Sequence, residues 1–209
     1  MGVEKKEGKR MVTTEKVPPR VEIDELSIPE AEIVRPKAGK FWGALRLLMG
    51  FTFLWAFLDK ALALGFATGR NPETGGINFF GPDAWISGGS PTDGFLGFGL
   101  HTKEPFLSIF QGMVGSAFVE WAFMLSLVGI GVALMFGVVT RIAAIGGAVL
   151  MVLMYFAGSF LPENNPLIDD HIVYAVLLVG IAYVGAGRFL GLGNKWRKTE
   201  LVGKYPILE

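Results

Sequence analysis

Four long apolar runs alternate with polar, glycine-rich stretches along this chain. The first, Phe41 to Phe66, is 26 residues of nearly unbroken hydrophobicity. At about 1.5 Å of rise per residue it is long enough, as a helix, to cross a hydrocarbon core of roughly 30 Å with some tilt. The other runs are Gly112 to Val138, Ile142 to Leu161 and Ile172 to Phe189. Runs this long read as helices rather than barrel strands. Thr140–Arg141 makes a very short turn. The stretch PENNPLIDDH, 162–171, makes another, because its proline and asparagine residues break helices. The pattern predicts an all-α integral membrane protein, a four-transmembrane-helix bundle. Its spans fall at about 41–66, 112–138, 142–161 and 172–189, within a membrane domain of 41–190. A long extracytoplasmic loop, 67–111, joins helices one and two. A polar N-terminal tail, 1–40, and a basic C-terminal tail, 191–209, flank the domain.

Basic residues orient this topology. Nine lysines and arginines precede the first span, Arg141 lies in the turn after the second, and five follow from Arg188 onward. The loop 67–111 holds only Arg70 and Lys103, and the turn 162–171 holds none. The positive-inside rule therefore predicts a multi-pass protein with both termini cytoplasmic. The N-terminal tail is too long and too acidic for the basic end of a signal peptide and reads as a flexible cytoplasmic segment. The loop carries Phe79, Phe80, Trp85, Phe95, Phe98 and Phe106. That is too many aromatics for a solvated linker. Either it folds as a cap on the membrane surface, or its rings form an interfacial belt.

Composition removes whole classes of function. Hydrophobic residues make up 51% of the chain and net charge is zero, with no basic face interleaved with aromatics, so no nucleic-acid partner is expected. The absence of cysteine excludes disulfides, iron–sulfur clusters, thiolate zinc sites and covalent haem. Only His101 and His171 are available to a bis-histidine haem, and no metal-ligand set or flavin fingerprint is visible. The partner that remains is the membrane lipid.

Charges inside the spans are the candidates for chemistry, because each costs roughly 2.5–3.5 kcal/mol in lipid even on the lenient insertion scale. Arg46, Asp59 and Lys60 interrupt the first run, with Arg46 and Lys60 on one helical face. Arg46, near the inner end, has no acid at its depth and is expected to reach the cytoplasmic headgroups or to hold an anionic lipid. Lys60 lies about 9 Å in from the outer end of its span and Glu120 about 12 Å in from the outer end of the next. Asp169, Asp170 and His171 open the fourth run on the same side, with Tyr174 one turn further in. Two readings stand side by side. In one, these groups converge as a functional cluster beneath the aromatic loop. In the other, Lys60 and Glu120 form a structural ion pair that fixes helix register, and the two aspartates merely cap a helix.

Several of these segments resemble the DoxX family. They are the run GFTFLWAFLDK at 50–60, the loop AWISGGSPTDGFL at 84–96, Glu120, Arg141, and NPLIDDHIVYAVLLVGIAYVGAGRFLGLG at 165–193. The likeness covers about 41–195 and is greatest to DoxD-type members, identified as the membrane subunit of thiosulfate:quinone oxidoreductase. It implies a bacterial or archaeal cytoplasmic membrane, oxidation of two thiosulfates to tetrathionate, quinone as electron acceptor, and a second protein subunit. On this implication Lys60, His101 and Tyr174 bind substrate, and Glu120, Asp170 and His171 carry protons to the quinone. The alternative is a non-catalytic accessory or scaffold subunit of a larger respiratory or redox complex.

Overall fold

The computed structural model describes residues 36–208, except 159, 163, 164 and 166. The expected N-terminal tail therefore lies almost wholly outside the described residues. The described chain is all-helical, with one isolated bridge between Arg70 and Ile77 as its only strand-like pairing. Its helices are α1 (Pro36–Leu62), α2 (Pro91–Phe98), α3 (Phe106–Gln111), α4 (Ala117–Phe136), α5 (Thr140–Gly158), α6 (Asp170–Tyr183), α7 (Gly193–Trp196) and α8 (Glu200–Lys204). Three of them, α1, α4 and α5, are long and apolar enough to cross a membrane. Only about a third of the residues in each are buried inside the protein. Exposed Leu48, Phe51, Leu125, Phe136, Val149 and Leu153 suit contact with lipid.

Each helix ends where local chemistry ends it. The first stops at Leu62, four residues short of the expected boundary, because Ala63 and Gly65 take positive φ angles of 53° and 86°. The Asp59 carboxylate accepts the backbone N–H groups of Phe66 at 3.0 Å and Ala67 at 2.8 Å, doubling the chain back on itself. Ser116 caps α4 by accepting the Val119 N–H, and Gly137, left-handed at φ 73°, closes the other end with its N–H on Ala133 O. Asp169 caps α6 by accepting the Ile172 N–H at 3.2 Å. That helix is the clearest departure from expectation. It has 14 residues, about 21 Å of rise, where an 18-residue span at 172–189 was expected. Left-handed Gly185 (φ 59°) turns the chain after Tyr183, and 186–188 form a separate 3₁₀ turn.

The four longest helices pack α1 on α4, α4 on α5, α5 on α6 and α6 on α1. Phe53, Met124, Leu134, Leu178 and Ile181 fill the space between them. The first pair is held close by two glycines. A Cβ on Gly50 would lie 2.8 Å from the Met135 backbone nitrogen, and one on Gly131 would lie 2.7 Å from that of Leu54. No side chain can yield at either point, so the backbones meet only because both residues are glycine.

The segment between α1 and α4 is folded. A 3₁₀ turn at Trp85–Ser87 sets the Trp85 ring edge-on to Phe57 of α1 and to Trp121 of α4, at centroid distances of 6.3 and 4.8 Å. Phe106 packs on Phe156 and Phe160 at the C-terminal end of α5. Phe79, Phe80 and Phe98 remain exposed. The C-terminal segment is ordered too: the Trp196 indole N–H donates to Leu208 O at 2.6 Å, and residues 206–208 rest against α5.

Candidate functional site

Glu120 sits in the first turn of α4 and is 8% exposed. Its Oε2 accepts three donors from one upstream segment: the Ser90 hydroxyl at 2.7 Å, the Thr92 backbone N–H at 3.2 Å, and the Thr92 hydroxyl. Ser90 also caps α2, accepting the Asp93 N–H at 3.3 Å, and Asp93 in turn accepts the Gly115 N–H at 2.7 Å. Two carboxylates thus fasten the stretch Ser90–Asp93 to the start of α4. The other oxygen, Oε1, is buried without a hydrogen-bond partner among the described residues.

Beside this knot lies a cavity of about 360 Å³ among α1 to α5. Its wall is apolar, built from residues such as Phe95, Phe110, Phe123 and Met154, and its polar side chains are Lys60, Thr92 and Ser126. Thr92 therefore faces two ways: it lines the cavity and donates to Glu120. A group bound in the cavity would meet one ammonium, two hydroxyls and otherwise hydrocarbon. This is the usual pattern of a pocket for a largely apolar ligand with a polar head.

The residues expected to converge separate into three places. Among the described residues no ion pair joins Lys60 to Glu120, which corrects the expected register-fixing bridge. Glu120 is satisfied by hydroxyl and backbone donors from the loop, and Lys60 lines the cavity instead. His171 turns to its own helix start, with Nδ1 2.6 Å from Asp169 Oδ2 and 3.4 Å from Asp170 Oδ1. These three present possible ligand atoms within 4.8 Å of one another, but Asp169 is already committed to capping α6 and to the imidazole. Asp170, His171, Tyr174 and His101 are not among the cavity walls. Tyr174 packs against the helix core, and His101 is exposed between α2 and α3.

Arg46 sits in surroundings unlike those expected of it. It is 0% exposed. Its guanidinium donates to the carbonyls of Leu134 and Met135 at the end of α4 and to those of Phe189 and Leu190 beyond α6. The last carbonyls of a helix have no partner within it, and a buried planar fork supplies several at once. The sequence reading also missed Ser90 and Thr92 as partners of Glu120, and Asp59 as the anchor of the turn after α1. For Ser90 and Thr92 the available signal was a serine- and threonine-bearing stretch within an aromatic loop, upstream of an unpaired acid in an apolar run.

No protein-family model, curated protein or solved structure matches the chain.

Proposed function

We propose that this chain is a quinone-binding membrane subunit of the DoxX type, passing electrons from thiosulfate to quinone together with a protein partner. In this reading four helices cross a bacterial or archaeal cytoplasmic membrane, both termini lie inside, and the segment between α1 and α4 caps the outer end. The observation that carries it is the apolar cavity whose polar groups include the Lys60 ammonium and a Thr92 hydroxyl bonded to Glu120. A quinone has the matching chemistry: a flat apolar ring, carbonyl oxygens that accept from an ammonium or hydroxyl, and a hydrocarbon tail.

The overall step balances as two thiosulfate dianions, one quinone and two protons giving one tetrathionate dianion and one quinol. Two electrons leave the sulfane sulfurs as the new S–S bond forms, and the quinone takes both. Lys60 donates to a carbonyl oxygen and favours the negative charge that grows there. Each of the two ring protons would pass by way of Thr92, whose hydroxyl gives up its own proton and takes one from the Glu120 carboxyl, which recovers it from outside. His101 and Lys103, both exposed on the loop, draw the dianion toward the outer face.

Photolabelling with a short-chain azidoquinone tests the cavity. The expected label falls on peptides containing 118–126 or 150–157, and unlabelled quinone competes it away. Label confined to the exposed faces of α1 or α6, or spread without competition, rejects the quinone site. Topology has its own test. Because the chain lacks cysteine, single cysteines at Glu73 and Glu200 should react with an impermeant maleimide from opposite sides of the membrane. Labelling of both from outside rejects the orientation.

The accessory reading draws on a different observation. Ile77, Phe79 and Phe80 are all exposed on the loop, as residues that meet another subunit would be. It predicts that the wild type with all its copurifying partners reduces no quinone with thiosulfate.

A further inference from the structure

A second concavity lies at the opposite end of the helices, where α4 turns into α5 and α6 runs into the C-terminal segment. Its walls include Thr140 and Arg141 of α5, Tyr183 at the end of α6, and Arg188, Gly193 and Arg197 beyond it. It shares no wall residue with the Lys60 cavity. Its space is about 30 Å³, some two to three times the roughly 10–15 Å³ that one water needs.

Three features give this concavity a sign. Arg141, Arg188 and Arg197 bring three guanidinium groups to its wall, and no aspartate or glutamate lines it among the described residues. Arg188 and Arg197 also interact within the chain. Thr140 is 3% exposed, and its hydroxyl is buried with no hydrogen-bond partner among the described residues. A buried hydroxyl left bare in a cationic pocket is a donor awaiting an acceptor. Thr140 also begins the 19-residue α5, whose first N–H groups carry the positive end of the helix dipole.

We propose that this is an oxyanion site that takes a phosphate group, from an anionic lipid headgroup or from solution. The space admits one or two phosphate oxygens, and the rest of the ligand stays outside. The Thr140 hydroxyl donates to one oxygen and the Arg141 guanidinium to another. Tyr183, 85% exposed at the rim, offers the amphipathic ring that interfacial sites use. The site is independent of the quinone cavity.

The test uses the full chain in neutral detergent with two probes. Inorganic phosphate is titrated while thermal unfolding is followed, and retention of phosphatidylglycerol against phosphatidylcholine is measured by native mass spectrometry. The wild type should bind at least one probe. Removing one surface arginine should weaken it about fivefold in Arg141→Gln. Losing a hydrogen bond to a charged oxygen should weaken it about tenfold in Thr140→Val. Lys204→Gln, a charge removed from the same side but away from the pocket, should bind as the wild type does. A response to phosphatidylglycerol alone identifies the lipid as source, and a response to inorganic phosphate identifies a solution anion. No binding of either probe, or binding unchanged in both Thr140→Val and Arg141→Gln, overturns the site.

Discussion

Arg46→Met should leave little folded protein in detergent, and any that survives should melt far below the wild type. Four backbone carbonyls from two separate stretches of chain converge on this one guanidinium. Methionine fills a similar volume but donates nothing. Each buried acceptor left bare costs roughly 1–3 kcal/mol, and a domain has only about 5–15 kcal/mol in all. Losing two or more therefore consumes much of the total. The close fit leaves no room for repair by a larger group, since a Cβ on Gly191 would lie 2.8 Å from Arg46 Nη2. Arg46→Lys keeps the charge without the planar fork and should recover only part of the stability. The measurement is thermal unfolding in a neutral detergent, where headgroup effects are absent. A melting point unchanged in Arg46→Met would restore the view that Arg46 serves the lipid surface.

The second large effect concerns turnover. Glu120→Gln keeps the shape that receives Ser90 and Thr92 but removes the titratable proton. Positioned acid–base groups contribute about 10²–10⁴-fold, so thiosulfate-dependent quinone reduction in membranes should fall by that much. Thr92→Val cuts the bridge between Glu120 and the cavity and should lower kcat similarly, while Thr92→Ser restores it. Lys60→Met removes the cation but leaves the apolar stem, so its main effect should be on the KM for quinone. This division separates a working relay from general damage, which would move both constants in every variant. Full activity in Glu120→Gln removes the carboxylate from the mechanism. A wild type inactive with all its partners leaves the accessory-subunit reading standing.

The chain alone determined that the described residues are all-helical, where the long apolar helices lie, and which few charges sit among them. Periodicity and length suffice for that, because a helix satisfies its own backbone and lipid-facing surface needs only hydrocarbon. It also marked Lys60 and Glu120 as residues requiring a reason. What it did not determine was the partner of each charge. Glu120 meets donors 28 and 30 residues upstream, and Arg46 meets carbonyls 88 to 144 residues downstream. Backbone carbonyls and hydroxyls carry no mark in a sequence that says which charge they will satisfy. Equal depth along two spans suggested a Lys60–Glu120 bridge, yet depth fixes one coordinate only. The rotation of α1 about its axis, set by the glycine contacts of Gly50 and Gly131, fixes the others. The shortness of α6 was hidden for a related reason: its apolar run continues past Tyr183, and the left-handed turn at Gly185 is a backbone conformation that hydrophobicity does not record.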